Sequence, residues 1–176
     1  KKVSIENILN SKSVDIGVFS EINTKRIPKF KGFTSFTKYS KKRFHGVSIF
    51  VNNNIASRVI HIPDESELEL VHIMIRGTNP VTNVIGIYLD VESRTTTGEI
   101  SATWTKLMHK IAQIVNRGES LLIVGDWNRR IEATKPSFGT KLLKEWIDTE
   151  SVTLLNSQKM EFTRIDPATG KGSILD

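Results

Sequence analysis

The order of the hydrophobic patterns predicts an α/β fold with a strand-rich first half and a helix–strand–helix second half. Between Val14 and Leu89, short alternating or apolar runs recur at close intervals, separated by turn-forming residues. From Glu99 the apolar spacing lengthens to that of a helix, and the wholly apolar run Leu121-Leu122-Ile123-Val124 follows it.

Taken in order, Val3, Ile5, Ile8 and Leu9 form a short, partly periodic pattern over residues 1–12 that suits the tail of a helix. Ser13 to Ser20 alternates as a strand does and places Glu21 at its tip. Further strands are expected at Phe33 to Tyr39, Val47 to Val51, Ser57 to Ile62, Leu68 to Ile75 and Val84 to Leu89, with turn residues at Asn52-Asn53-Asn54 and Gly77-Thr78-Asn79-Pro80. Such short connections favour antiparallel hairpins. Ile100, Trp104, Leu107, Met108, Ile111, Ile114 and Val115 make one stripe of a helix over Glu99 to Arg117, opened by a Thr96/Glu99 capping box and followed by Gly118. Leu121 to Val124 reads as a central strand buried on both faces. A second helix covers about Thr140 to Asp148 with Leu142, Leu143, Trp146 and Ile147 inward; Val152 to Leu155, Glu161 to Ile165 and Gly172 to Leu175 look like strands.

Composition excludes whole classes of chemistry. The chain of 176 residues, sized for a single domain, contains no cysteine, so disulfides, thiolate metal sites and cysteine nucleophiles are absent, and any metal must sit on oxygen or imidazole. No apolar run approaches the roughly 18 residues of a membrane span, which argues against a membrane partner. A net charge of +6 leans towards a polyanionic partner. Histidines 45, 61, 72 and 109 lack ligand spacing and read as structural or surface residues, and neither a Gly-x-Ser-x-Gly elbow nor a P-loop occurs.

Carboxylates, amides and a hydroxyl around a hard cation therefore make the most natural site. Gly125-Asp126-Trp127-Asn128 follows the apolar strand, where glycine permits a tight exit and two polar side chains two positions apart share a side; the plain alternative is an Asx turn. Glu21 ends an earlier strand. Tyr88 offers a phenol to a phosphate, or simply packs in the core. Ser173-Ile174-Leu175-Asp176 brings an acid to the end of a strand.

In order and spacing, Val18-Phe19-Ser20-Glu21, Gly46-Val47-Ser48-Ile49-Phe50, Tyr88, Gly125-Asp126-Trp127-Asn128, Phe162-Thr163 and Ser173-Ile174-Leu175-Asp176 resemble the endonuclease/exonuclease/phosphatase family, and within it the endonuclease domains of non-LTR retrotransposons. The resemblance implies a four-layered α/β sandwich, two mostly antiparallel sheets packed face to face with helices outside, here short of its first and last strands. It also implies divalent-metal-dependent phosphodiester cleavage with Mg2+ or Mn2+. Glu21 would hold the metal, Asp126 would position or deprotonate the attacking water, and Asn128 and Tyr88 would support the phosphate. Thr163 would line the substrate side, and Asp176 corresponds to the acid that orients a terminal histidine in the family. Two departures stand out: the Asn-bearing first strand is absent from this sequence, and so is the histidine that follows the last acid. Both suggest a piece of a longer polypeptide, of the kind that continues into a reverse transcriptase.

DNA is the expected partner. Lys25, Arg26, Lys29, Lys31, Lys38, Lys41, Lys42 and Arg43 interleave with Phe30, Phe33, Phe36, Tyr39 and Phe44, which suits a phosphate backbone and stacked bases or, equally, a solvated strand face over core aromatics; Arg129 and Arg130 lie just beyond Asn128. A retrotransposon endonuclease would work in the nucleus. The alternatives are a catalytically silent binding module and a phosphatase of the same fold.

Overall fold

The computed structural model describes residues 2–22, 29–39, 46–61, 68–131, 133–150, 152–155, 164–165 and 172–173. They fall into two compact units, one of Lys1–Tyr88 with Leu107–Gly125, the other of Leu89–Lys106 with Asp126–Asp176.

In the first unit, the two-residue period of the strands builds the core. Helix α1 (Lys2–Ser11) leads into β1 (Ile16–Ser20), followed by β2 (Phe33–Lys38) and β3 (Val47–Asn52), which form a three-stranded sheet in the order β1-β3-β2. Both pairings are antiparallel, with Ser20 opposite Val47 and Val47 opposite Lys38. β2 and β3 are the expected consecutive pair, but β1 skips its sequence neighbour and pairs with β3. The second sheet has the order β4-β5-β6-β7, from β4 (Ser57–His61), β5 (Glu69–Ile75), β6 (Thr82–Tyr88) and β7 (Ser120–Asp126). β4–β5 and β5–β6 are antiparallel. β7 runs parallel to β6, since the Ser120 N–H donates to Val81 O at one end and the Leu89 N–H to Asp126 O at the other. A parallel neighbour needs a crossover, and α2 (Thr97–Val115) is the helix between them.

Val47, Ile49 and Val51 of β3 pack with Val71, Ile73 and Ile75 of β5 and Val84 and Tyr88 of β6, and Ile16, Val18 and Phe36 close the edges of this cluster. The sheets are thus joined face to face by every second residue of their strands. Each such aliphatic side chain contributes about 1.5–3 kcal/mol on full burial. On the outer face of the first sheet, Leu9 of α1 packs with Phe30 and Phe50, and Ile5, Phe19 and Phe33 surround them. The architecture is the α/β sandwich expected from the sequence.

β7 differs from the expectation. It lies at the edge of its sheet among the described residues, and Leu122 and Val124 are 36% and 37% exposed. An unbroken apolar run signals burial on both faces, but only one face of this strand is covered within the described chain.

A polar network runs from the second sheet's buried His72 and Asn83 out to the exposed Arg117. His72, 2% exposed, shares a hydrogen bond of 2.8 Å between its Nε2 and Asn83 Oδ1. Asn83 Nδ2 donates to Glu119 Oε2 at 2.8 Å, and Arg117 grips the same carboxylate through Nε at 2.9 Å and Nη2 at 2.8 Å. The Arg117 hydrogen bond, aided by Asn83, holds the Glu119 carboxyl down at about 2. His72 is therefore structural, and exposed His109 shares a bond with Gln113 one helical turn on.

In the second unit, a 3-10 turn (Glu92–Arg94) precedes α2, whose start is a reciprocal capping box: the Thr96 N–H donates to Glu99 Oε2 at 2.8 Å, and the Glu99 N–H to Thr96 Oγ1 at 3.3 Å. Helix α3 (Phe138–Thr149) begins earlier than its apolar spacing suggests, because Ser137 caps it by accepting from the Thr140 N–H at 3.4 Å. Residues 152–155 form no strand. The last hairpin consists of β8 (Arg164–Ile165) and β9 (Gly172–Ser173), paired antiparallel.

Candidate active site

The first unit carries a carboxylate–phenol pair where β1 and β6 end. Glu21 follows Ser20 and adopts φ 54°, a left-handed conformation that costs a residue with a Cβ about 1 kcal/mol or more. The turn takes Glu21 out of the strand's alternation and leaves it exposed. Tyr88 is 3% exposed within the inter-sheet core, and its hydroxyl donates to Glu21 Oε1 at 3.2 Å. Both readings of Tyr88 thus hold at once: the ring packs as a core residue while the hydroxyl serves a carboxylate.

Sequence reasoning passed over a neighbour of this pair. Glu69 stands directly opposite Tyr88 in the β5–β6 ladder, and directly opposed residues share a face. It also shares the parity of Val71 and Ile73, so it lies on the inward face; its Oε2 is buried without a hydrogen-bond partner among the described residues. A lone acid at an inward position of an apolar strand was the signal that would have found it. Lys38 is similar, 8% exposed at the end of β2 rather than on a solvated face.

The second unit carries the Asp126–Asn128 loop. It is entered through Gly125, whose φ of 148° and whose position make glycine obligatory: a Cβ there would fall 1.9 Å from Ile87 O. The backbone of the β7 end therefore lies flush against β6. Beyond it, the Leu89 N–H donates to Asp126 O at 2.9 Å. Asp126 Oδ1 accepts from the Asn128 N–H at 2.9 Å, which is the Asx turn of the plain reading. Asn128 itself is left-handed, φ 49°, a conformation that asparagine tolerates well, and its Nδ2 donates to Leu89 O at 2.7 Å. An amide nitrogen has two hydrogens. One is donated to Leu89 O, which sets the plane of the amide and leaves the other available among the described residues. Trp127 points inward at 8% exposure and stacks on Trp146, with ring centroids 6.2 Å apart, while Trp104 stands 6.4 Å from Trp127. All the tryptophans of the chain thus support this loop.

Arg129 and Arg130 part company. Arg130 is exposed. Arg129, expected beside phosphate, is turned inward: it is 5% exposed, its Nε lies 3.0 Å from Glu92 Oε1, and its Nη1 donates to Asp90 O at 3.1 Å and Asn128 O at 3.0 Å. The Glu92 contact is ionic, without hydrogen-bond alignment. Burial pushes the guanidinium's pKa down, and the charges of Glu92, Asp126 and Asp90 oppose that.

Thr163 and Asp176 lie outside the described residues, as do Lys25, Arg26, Lys41, Lys42 and Arg43 of the basic stretch. Among the described residues no group of three or more His, Asp or Glu gathers as a metal cage. A hard divalent cation still suits the donor chemistry, because magnesium commonly takes one or two protein carboxylates and completes its shell with water and substrate phosphate; exposed Glu21 could serve as one such donor. No helix among the described residues is long and apolar enough to cross a membrane.

No family model matches the sequence, and no curated protein does. Solved structures do. Truncated TDP2 from Caenorhabditis elegans superposes with a TM-score of 0.53 at 14% identity, covering 78% of this chain and 59% of that one. A second structure of TDP2 from C. elegans gives 0.51 at 16% identity, covering 78% of this chain and 45% of that one. The chain thus spans less than two thirds of the length of either. The likeness is one of fold: the present chain shares the fold of these TDP2 structures.

Proposed function

We propose that the chain is a metal-dependent phosphodiesterase that nicks DNA, of the kind carried by non-LTR retrotransposons. The observation that carries this reading is the Asp126–Asn128 loop: an acid and an amide on a backbone fixed by Gly125 and by the bonds to Leu89. Preorganised donors of this kind stabilise the charge that builds on a phosphate during in-line attack, and they do so without reorganising at the moment of reaction.

In this reading Asp126 accepts the proton of the attacking water, and Asn128 donates its remaining amide hydrogen to a non-bridging phosphate oxygen. Glu21 holds a magnesium or manganese ion, and the Tyr88 hydroxyl orients that carboxylate. When bound, the cation supplies Lewis-acid stabilisation of the phosphate. Exposed Arg130 and, beyond the described residues, Thr163 take the substrate side. The net charge of +6 favours DNA over a small or uncharged substrate.

Supercoiled plasmid incubated with the chain and magnesium tests this. Nicking that is stopped by chelator and lost in Asp126→Ala supports the enzyme. Tight DNA binding with cleavage equal in both proteins assigns the chain to the silent binding modules, and turnover of phosphoinositides or nucleotides in place of DNA assigns it to the phosphatases.

A further inference from the structure

Resting on that reading of the Asp126–Asn128 loop, we infer that Arg129 and Glu92 are a positioning pair for Asn128, and that Arg129 does not touch substrate. A phosphate-binding arginine presents its nitrogens to solvent. Arg129 is buried, and its Nε and Nη1 are committed to Glu92, Asp90 O and Asn128 O.

The bonds form a closed set around one residue. Asn128 is left-handed; its N–H is taken by Asp126 Oδ1, its Nδ2 by Leu89 O, and its carbonyl by Arg129 Nη1. Through the same nitrogen Arg129 ties that carbonyl to Asp90 O, one residue after Leu89, so the backbone and the side chain of Asn128 are anchored to the same short segment. Glu92, two residues further on, balances the buried cation at 3.0 Å. Helix α3 closes over the pair, because Gly139 is where it passes: a Cβ there would fall 2.4 Å from Arg129 Nε and 2.5 Å from Glu92 Oε1. The planar fork of arginine suits this task, whereas a lysine supplies the charge without the simultaneous hold on two carbonyls.

The test uses the full chain with Arg129→Lys and Glu92→Gln. In magnesium-dependent plasmid nicking, Arg129→Lys lowers kcat about tenfold or more, leaves KM for DNA within about twofold, and leaves the salt dependence of KM unchanged, since a misplaced Asn128 weakens the transition state and not the ground state. Glu92→Gln moves kcat in the same direction by less. A raised KM at unchanged kcat, with a salt slope reduced by about one, would make Arg129 a phosphate contact and overturn the inference. A second reading needs no activity. By NMR, the side-chain amide protons of Asn128 exchange with solvent at least about fivefold faster in Arg129→Lys than in the parent chain. Unchanged exchange overturns the positioning role even if the chain cleaves DNA, and faster exchange upholds it even if the parent chain proves inert, which is the failure of the enzyme reading alone.

Discussion

Glu21 and Asp126 both follow or end a strand, yet their surroundings differ. Glu21 is exposed on a strained left-handed residue and is held, among the described residues, by the Tyr88 hydroxyl at 3.2 Å. Asp126 is fixed by its own backbone to Leu89, by its carboxylate to Asn128, and by the tryptophans behind the loop. On the proposed function, the group that would exchange water and cation with solvent is left accessible, whereas the group that would place a proton and an amide against a phosphate is built into backbone geometry. Damage to the loop's glycine and tryptophans should therefore act through folding and position, and damage at Glu21 through cation binding.

The strongest break of that contrast is Gly125→Ala. With a Cβ directed into Ile87 O and a φ of 148°, the β7 end cannot keep its place against β6, and a loss of about 4 kcal/mol or outright failure to fold is expected in urea denaturation. Trp127→Ala comes next, at about 3 kcal/mol, because it empties the space beneath the loop; activity should fall further than the lost stability explains. Tyr88→Phe keeps the core ring and removes the hydroxyl that donates to Glu21, so stability changes by about 1 kcal/mol while metal-dependent cleavage drops about tenfold.

Glu119, which precedes the first residue of β7, serves as the control. Glu119 is held at about 2 in the folded chain against an ordinary value of 4.5, so its contribution to stability is complete above about pH 4.5 and is lost as the pH falls towards 2. The melting temperatures of the parent chain and Glu119→Gln should differ at neutral pH and converge near pH 2. Cleavage at neutral pH should be alike in the two.

Local signals were legible in the sequence. The Thr96/Glu99 box, the hairpin strands β4 to β6 and the tight glycine before Asp126 each depend on a few neighbouring residues, and each is present as read. What escaped depends on distant partners. Arg129 reads as a surface cation until Glu92 and Asp90 are placed beside it, since nothing in Asn128-Arg129-Arg130 distinguishes the two arginines. β1 pairs with β3 and not with β2, because edge order is settled across the sheet and not along the chain. Leu121 to Val124 has the composition of a central strand but an exposed face, and Val152 to Leu155 has strand-forming residues without a ladder partner. Glu69 is legible from parity alone, because it is the first inward position of β5.

A magnesium titration of plasmid nicking tests the division of labour between the two carboxylates most directly, using the parent chain, Glu21→Gln and Asp126→Asn. Glu21→Gln should raise the magnesium concentration for half-maximal rate at least about tenfold and recover much of the rate at saturation. Asp126→Asn should leave that midpoint within about twofold and lower the saturated rate by about a hundredfold or more. Parent-like curves for both variants, or a midpoint that moves with Asp126 and not with Glu21, would contradict the account.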